Sequence, residues 1–223
     1  MRVAVIDIGK PGQNLGWAIG KPLGEEADPD ACIEAEGTDL DACIEELAEA
    51  LRKDALALGF EAPQFVPFRD DPMALTRARQ GESGRGLPTR AFSAGAGATV
   101  LVTSLVIVPY VLQRLRERVP KATASLDWRR PITEAGQLLL WEAFVTDQRN
   151  DAATRHIEDA RLAIADFRRG IVHPASFESS VTAPEGCLSL LGAALLRTGW
   201  STDVDLLSTP CLVVRSASAA VST

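Results

Sequence analysis

Arg2-Val3-Ala4-Val5-Ile6-Asp7-Ile8 reads as a β-strand with an acid set near the middle of an apolar run. Val3, Val5, Ile6 and Ile8 are β-branched, and the run is long enough for a buried strand. A carboxylate there costs several kcal/mol unless it is paired or bound to a metal. Asp7 is therefore the first candidate for chemistry.

Reading outward, Lys10-Pro11-Gly12-Gln13-Asn14 is a turn and Leu15 to Gly20 a second strand, making an antiparallel hairpin. Ala31 to Glu36 is a third strand. Asp39 or Asp41 caps a helix to about Leu58 that carries Leu40, Cys43, Ile44, Leu47 and Leu51 on one face. Leu58 to Ala62 is a fourth strand ended by Pro63, and Glu61 sits at its carboxyl edge, where ligands collect in α/β sheets. Pro63 to Ser93 is a long polar loop of the kind that carries function or is disordered. Ala94 to Val119 reads as a buried apolar helix, with a strand alternative left open by its β-branched content. A fifth strand spans Gly136 to Val145, and a helix starting at Asp151 or Thr154 runs to about Arg169. A further helix near Cys187 to Thr198 and a last strand, Cys211 to Arg215, complete one domain over residues 1–215; residues 216–223 form a flexible tail.

At 223 residues, 46% hydrophobic and 24% charged, the chain can bury a core without disulfides. Cys32, Cys43, Cys187 and Cys211 form no C-x-x-C pair and read as buried free thiols of a reducing cytoplasm. Asp7 interrupts what would be a signal peptide, and the apolar stretch Ala98 to Leu112 falls short of a bilayer span, so the expectation is a cytoplasmic protein. With only His156 and His173, any metal is held mainly by carboxylates, which favours Mg²⁺ or Mn²⁺.

The formal charge of −7 hides an asymmetry: residues 1–62 balance at −9, residues 63–130 at +6 and residues 131–223 at −4. In the basic middle, Arg77, Arg79, Arg85 and Arg90 share one Gly-rich stretch, a composition suited to holding nucleic-acid phosphates. A solvated arginine loop is the plainer alternative. Gly95-Ala96-Gly97-Ala98 at a helix start offers backbone N–H groups to a phosphate, or simply permits close packing.

Asp159 lies on a helix whose Ile157, Ala160, Ala163, Ile164 and Phe167 suit packing on a sheet, and His156 sits one turn earlier on the same face. The element order, with Asp7, Glu61 and Asp159, resembles the RNase H-like superfamily, most nearly its RuvC-type resolvases. His156-Ile157-Glu158-Asp159-Ala160-Arg161-Leu162-Ala163 is similar to the D-x-x-D-A-L-A pattern of those enzymes, with His156 in place of the first Asp. Gly59-Phe60-Glu61-Ala62-Pro63, Thr76 to Glu82 and Trp141-Glu142-Ala143-Phe144 also resemble an uncharacterised bacterial group of predicted RNase H-like nucleases. The resemblance covers most of residues 1–170.

That resemblance implies an α/β fold: a mixed five-stranded sheet, its first three strands an antiparallel meander, helices on both faces, and a C-terminal helix and strand added. It implies a metal-dependent phosphodiester hydrolase. Asp7 would bridge two Mg²⁺ or Mn²⁺ ions with Glu61 and Asp159 completing their shells, His156 would be a catalytic residue, and nucleic acid would meet the basic segment 63–130. Two other readings stand beside it. One is a non-catalytic domain of the same fold that binds nucleic acid or protein. The other is nucleotide-phosphate binding of the actin/hexokinase type, which Ile6-Asp7-Ile8-Gly9 resembles; that class needs a second Asp-x-Gly loop, and Asp7-Ile8-Gly9 is the only Asp-x-Gly in this sequence.

Overall fold

The computed structural model describes residues 1–22, 32–83, 91–146, 155–171 and 177–216. The chain forms a mixed α/β sheet whose central strand is β1 (Arg2–Asp7). β2 (Gly16–Gly20) pairs antiparallel with β1, and β3 (Ile33–Gly37) antiparallel with β2. On the other side, β4 (Leu56–Glu61) pairs parallel with β1, and β7 (Gln137–Val145) parallel with β4. The far edge of β7 is shared end to end: β6 (Thr123–Ser125) takes its first half and β9 (Val213–Ser216) its second, both parallel. The expected meander is present, and the sheet has seven strands rather than five. A three-residue strand such as β6 has no periodicity to betray it. Ser216, expected to begin the tail, is the last residue of β9, paired with Val145.

Strand alternation splits the core in two. Ala4, Ile6, Leu56, Leu58, Phe60, Leu138 and Leu140 face α1 (Leu40–Lys53) and α2 (Gly95–Arg118). Val3, Val5, Ala57, Leu139, Trp141 and Ala143 face α3 (Arg155–Ile171). A sheet covered on both faces explains why β1, β4 and β7 are almost continuously apolar. Trp141 seats α3: its ring lies over Gly59, where a Cβ would stand 2.5 Å from it, and its centroid is 4.5 Å from that of Phe167.

Two boundaries differ from the sequence reading. α1 stops at Lys53, not near Leu58, because Leu56, Ala57 and Leu58 are claimed by six-residue pairing with β1. Its start agrees: the Asp39 side chain accepts from the Ala42 N–H. The helix expected near Cys187 to Thr198 divides into β8 (Cys187–Ser189), antiparallel to β5 (Phe65–Pro67), and α4 (Leu190–Arg197), with the Ser189 hydroxyl accepting from Gly192 N–H at the junction.

α2 is a helix as expected, but it is not buried all round. Ser104, Ile107, Val108, Val111, Leu112 and Leu115 enter the core while the opposite face stays open. It is 24 residues, long and apolar enough by length and composition to cross a membrane, which corrects the expectation that its apolar stretch was too short. Its inner face packs against α1 and α4.

Candidate active site at the carboxyl ends of the central strands

The chain register sets Asp7 between two neighbours: Gly16 across the antiparallel pair and Glu61 across the parallel pair. Residues paired this way project to the same face of a sheet. For Asp7 and Glu61 that face is the one α3 covers, at the carboxyl ends of two parallel strands. Asp7 is 3% exposed and Glu61 half-buried.

The first turn of α3 lies directly on this row. A Cβ at Gly16 would stand 2.5 Å from the His156 carbonyl carbon and 2.7 Å from its Cβ, so helix and strand meet where no side chain intervenes. That approach brings His156 Nδ1 to 2.7 Å from Asp7 Oδ2. A carboxylate can only accept, so Nδ1–H donates and Nε2 is left for a second partner. The imidazole is 29% exposed and the Asp7 side chain 4%, which makes the histidine the solvent side of the pair. Asp159 follows one turn later, buried, with Arg155 Nε 3.6 Å from its Oδ2. Arg161 holds α3 to β3 through a two-pronged pair with Glu36, and Arg168 Nη1 donates to the Lys21 carbonyl at 2.8 Å.

Glu142, on β7, is separated from β1 by β4 and points to the opposite face. It is engaged elsewhere. Arg79 Nη1 and Nη2 donate to Glu142 Oε2 and Oε1 at 2.8 and 2.6 Å. Arg79 Nε donates to Glu82 Oε1 at 3.1 Å, and the Gln64 N–H donates to Glu142 Oε2 at 2.8 Å. The guanidinium also lies 4.6 Å from the Phe65 ring centroid. Burial works against this charge, but Glu142 and then Glu82 overcome it, and the pKa of Arg79 ends above the ordinary guanidinium value.

Arg79 is therefore a buried clamp fastening the 63–83 segment to the sheet, and it is withdrawn from the solvent-facing cations expected to hold phosphates. Arg77 is exposed; Arg85 and Arg90 lie outside the described residues. Further along the basic stretch, Arg114 pairs with Glu117, Arg118 with Glu45, and Arg116 donates to the Ala122 carbonyl. Gly97 is explained by packing, since a Cβ there would stand 2.3 Å from the Ala91 carbonyl oxygen. The clamp was missed from sequence; its only trace was the Arg79-x-x-Glu82 spacing.

The structure thus joins Asp7 to His156, sets Glu61 beside Asp7 in register, and keeps Asp159 on the same helix as His156. Among the described residues, no group of three or more His, Cys, Asp or Glu side chains is placed to hold a metal ion. All four cysteines are buried thiols, as the sequence reading expected. Comparison of the chain with protein-family models, with curated proteins and with solved structures returns no match.

Proposed function

We propose that this chain is an RNase H-like, divalent-cation-dependent phosphodiester hydrolase, with Asp7 and Glu61 as the metal-holding carboxylates. The observation that carries this reading is the register pair itself: two acids at matched positions on adjacent parallel strands, under the first turn of α3. The antiparallel meander followed by two parallel strands, with helices on both faces, supports the fold assignment.

Mg²⁺ is commonly bound through one or two carboxylates, with waters and substrate phosphate oxygens completing its shell. An all-oxygen pair at the mouth of the sheet fits that donor chemistry for one ion. Asp159, on the helix above, is the carboxylate from which a second ion would draw. The cation, when bound, supplies water activation and charge neutralisation at the scissile phosphate. The chain's own residues do the rest. Asp7 fixes the His156 ring through Nδ1, so that Nε2 can take or give a proton at the edge of the site. Exposed Arg77 is available to a substrate phosphate.

The test is cleavage of labelled single-stranded and duplex DNA and RNA with Mn²⁺ present. The expected result is cut product whose yield falls by about a hundredfold or more in Asp7→Asn, as for loss of a group acting on the transition state. No cleavage of any substrate, or an unaffected Asp7→Asn, overturns the proposal. A second reading, a non-catalytic binding domain of the same fold, is favoured by one observation: Asp7 already has a short hydrogen bond to His156. It predicts nucleic-acid or protein binding with no cut product.

A further inference from the structure

The open face of α2 carries Val102, Leu105, Val106 and Tyr110, exposed by 62, 48, 69 and 38%. The spacing i, i+3, i+4, i+8 places them along one stripe about two turns long. Single exposed aliphatics are ordinary, whereas a contiguous stripe of four marks an interaction surface. The stripe borders a cavity of about 450 Å³ between α2 and the start of α1, lined by Pro11, Gly12, Leu40, Asp41, Ile107 and Tyr110. Ridge and cavity together form a groove with apolar walls.

The α1 side of the groove is acidic, while at the far end of the ridge Arg114, paired with Glu117, lies 5.3 Å from the Tyr110 ring centroid. Asp39, Asp41 and Glu45, all exposed, come from the N-terminal turns of α1. Asp41 Oδ1 is 3.4 Å from the Tyr110 hydroxyl, so the acidic rim and the apolar ridge touch. Glu45 is neutralised by Arg118, while residues 1–62 as a whole balance at −9.

We propose that this groove is a docking site for a basic amphipathic helix of another protein, its apolar stripe seated on Val102, Leu105, Val106 and Tyr110 and its flanking Lys or Arg side chains against Asp39 and Asp41. An amphipathic helix binds such a groove through anchors at i, i+3, i+4 and i+7, and charge complementarity sets its orientation and speeds its arrival. A second copy of the chain would bring a second acidic rim to the same place. An anionic bilayer would meet the same repulsion. This surface is on the α1–α2 side, opposite the Asp7–His156 face, and does not rest on the hydrolase reading.

The probe is a fluorescein-labelled Leu/Lys peptide of about five helical turns with Leu at i, i+3, i+4 and i+7, alongside its Leu/Glu counterpart. Anisotropy with wild-type chain is expected to show saturable binding of Leu/Lys and affinity at least about tenfold weaker for Leu/Glu. Val106→Glu decides between groove and bulk charge. It makes the face more acidic, so attraction by charge alone would strengthen, while seating in the groove would weaken by about tenfold or more. Val106 is exposed, so an unchanged melting temperature is the control for folding. Equal affinity for both peptides, no binding of Leu/Lys, or affinity in Val106→Glu that is kept or raised overturns the proposal. So does a wild-type dimer in sedimentation that Val106→Glu turns to monomer, or wild-type flotation with phosphatidylcholine/phosphatidylglycerol vesicles that Val106→Glu abolishes.

Discussion

His156 and Asp7, 149 positions apart in the chain, are joined by a 2.7 Å hydrogen bond from imidazole Nδ1 to carboxylate Oδ2. The contact ties the first strand of the sheet to the first turn of α3, and it exists because β2 presents a glycine where the helix crosses. A histidine at this position thus gives Asp7 a donor where a carboxylate would bring a like charge. In one stroke this lowers repulsion at the sheet edge and fixes which imidazole nitrogen faces outward.

Gly16→Ala tests that dependence. A methyl group at 2.5–2.7 Å from the backbone and Cβ of His156 forces α3 outward. Overpacking of this kind costs about 1–3 kcal/mol. At this chain length each kcal/mol lowers the melting temperature by roughly 2–4 °C. The Asp7–His156 bond should be lost with it. Nitrogen-15 NMR of the ring, simple in a chain with two histidines, should show Nδ1 protonated in wild type and a mixed tautomer in the variant. An unshifted spectrum and melting point would show that α3 does not depend on Gly16.

Arg79→Ala should be among the most destabilising single changes at the carboxyl edge. It leaves Glu142 and Glu82, each about 1% exposed, without their shared cation. Breaking one partner of a buried ion pair costs about 3–5 kcal/mol. Arg77→Ala, at an exposed position, should leave the melting point within about 0.5 kcal/mol of wild type. If nucleic acid binds, Arg77→Ala should flatten the salt dependence by about one counterion. Equal stability of the two variants in thermal or urea unfolding would contradict the clamp.

The buried thiols predict alkaline softening. Burial, reinforced by Asp39 and Glu46, pushes Cys43 well above the ordinary thiol value of 9.0; burial and Glu142 push up Cys211. The unfolded chain therefore releases these protons first. Their contribution is intact below pH 9.0 and is lost as the pH climbs from there toward the raised native values. Arg79, also raised, keeps its charge throughout that window and adds no slope. The melting temperature should fall between about pH 9 and 10.5, less steeply in Cys43→Ala. Parallel slopes in wild type and variant would show that Cys43 does not titrate with unfolding.

What was legible in the sequence was what rests on local pattern. The β-branched run with Asp7, the Asp39 cap with its amphipathic helix, and the apolar run Leu138-Leu139-Leu140-Trp141 all reappear as β1, α1 and β7. That Asp7 and Glu61 share a site was expected only from the resemblance, because the register that pairs them is set when the two strands meet. What was not legible depends on distant partners. β5 and β8 are three residues each and exist only because they pair across more than a hundred positions. Arg79 read as a phosphate ligand because composition cannot distinguish a solvated arginine from one that two glutamates have drawn inside. The open face of α2 was hidden because Val102, Leu105 and Val106 are as apolar as the residues facing the core.

The central claim, a divalent-cation site at Asp7 and Glu61, is tested most directly by thermal unfolding of wild type, Asp7→Asn and Glu61→Gln across a Mn²⁺ titration. A ligand bound only by the native state contributes about 2.7 kcal/mol at a hundredfold excess over Kd. That corresponds to a rise of roughly 5–10 °C in this chain. Asp7→Asn keeps an oxygen acceptor for His156 while removing charge, so without metal it should melt at or above wild type. Both variants should lose most of the rise, and wild type should show it without ATP. A Mn²⁺ response identical in wild type and Asp7→Asn, or one that appears only with ATP, would contradict the assignment.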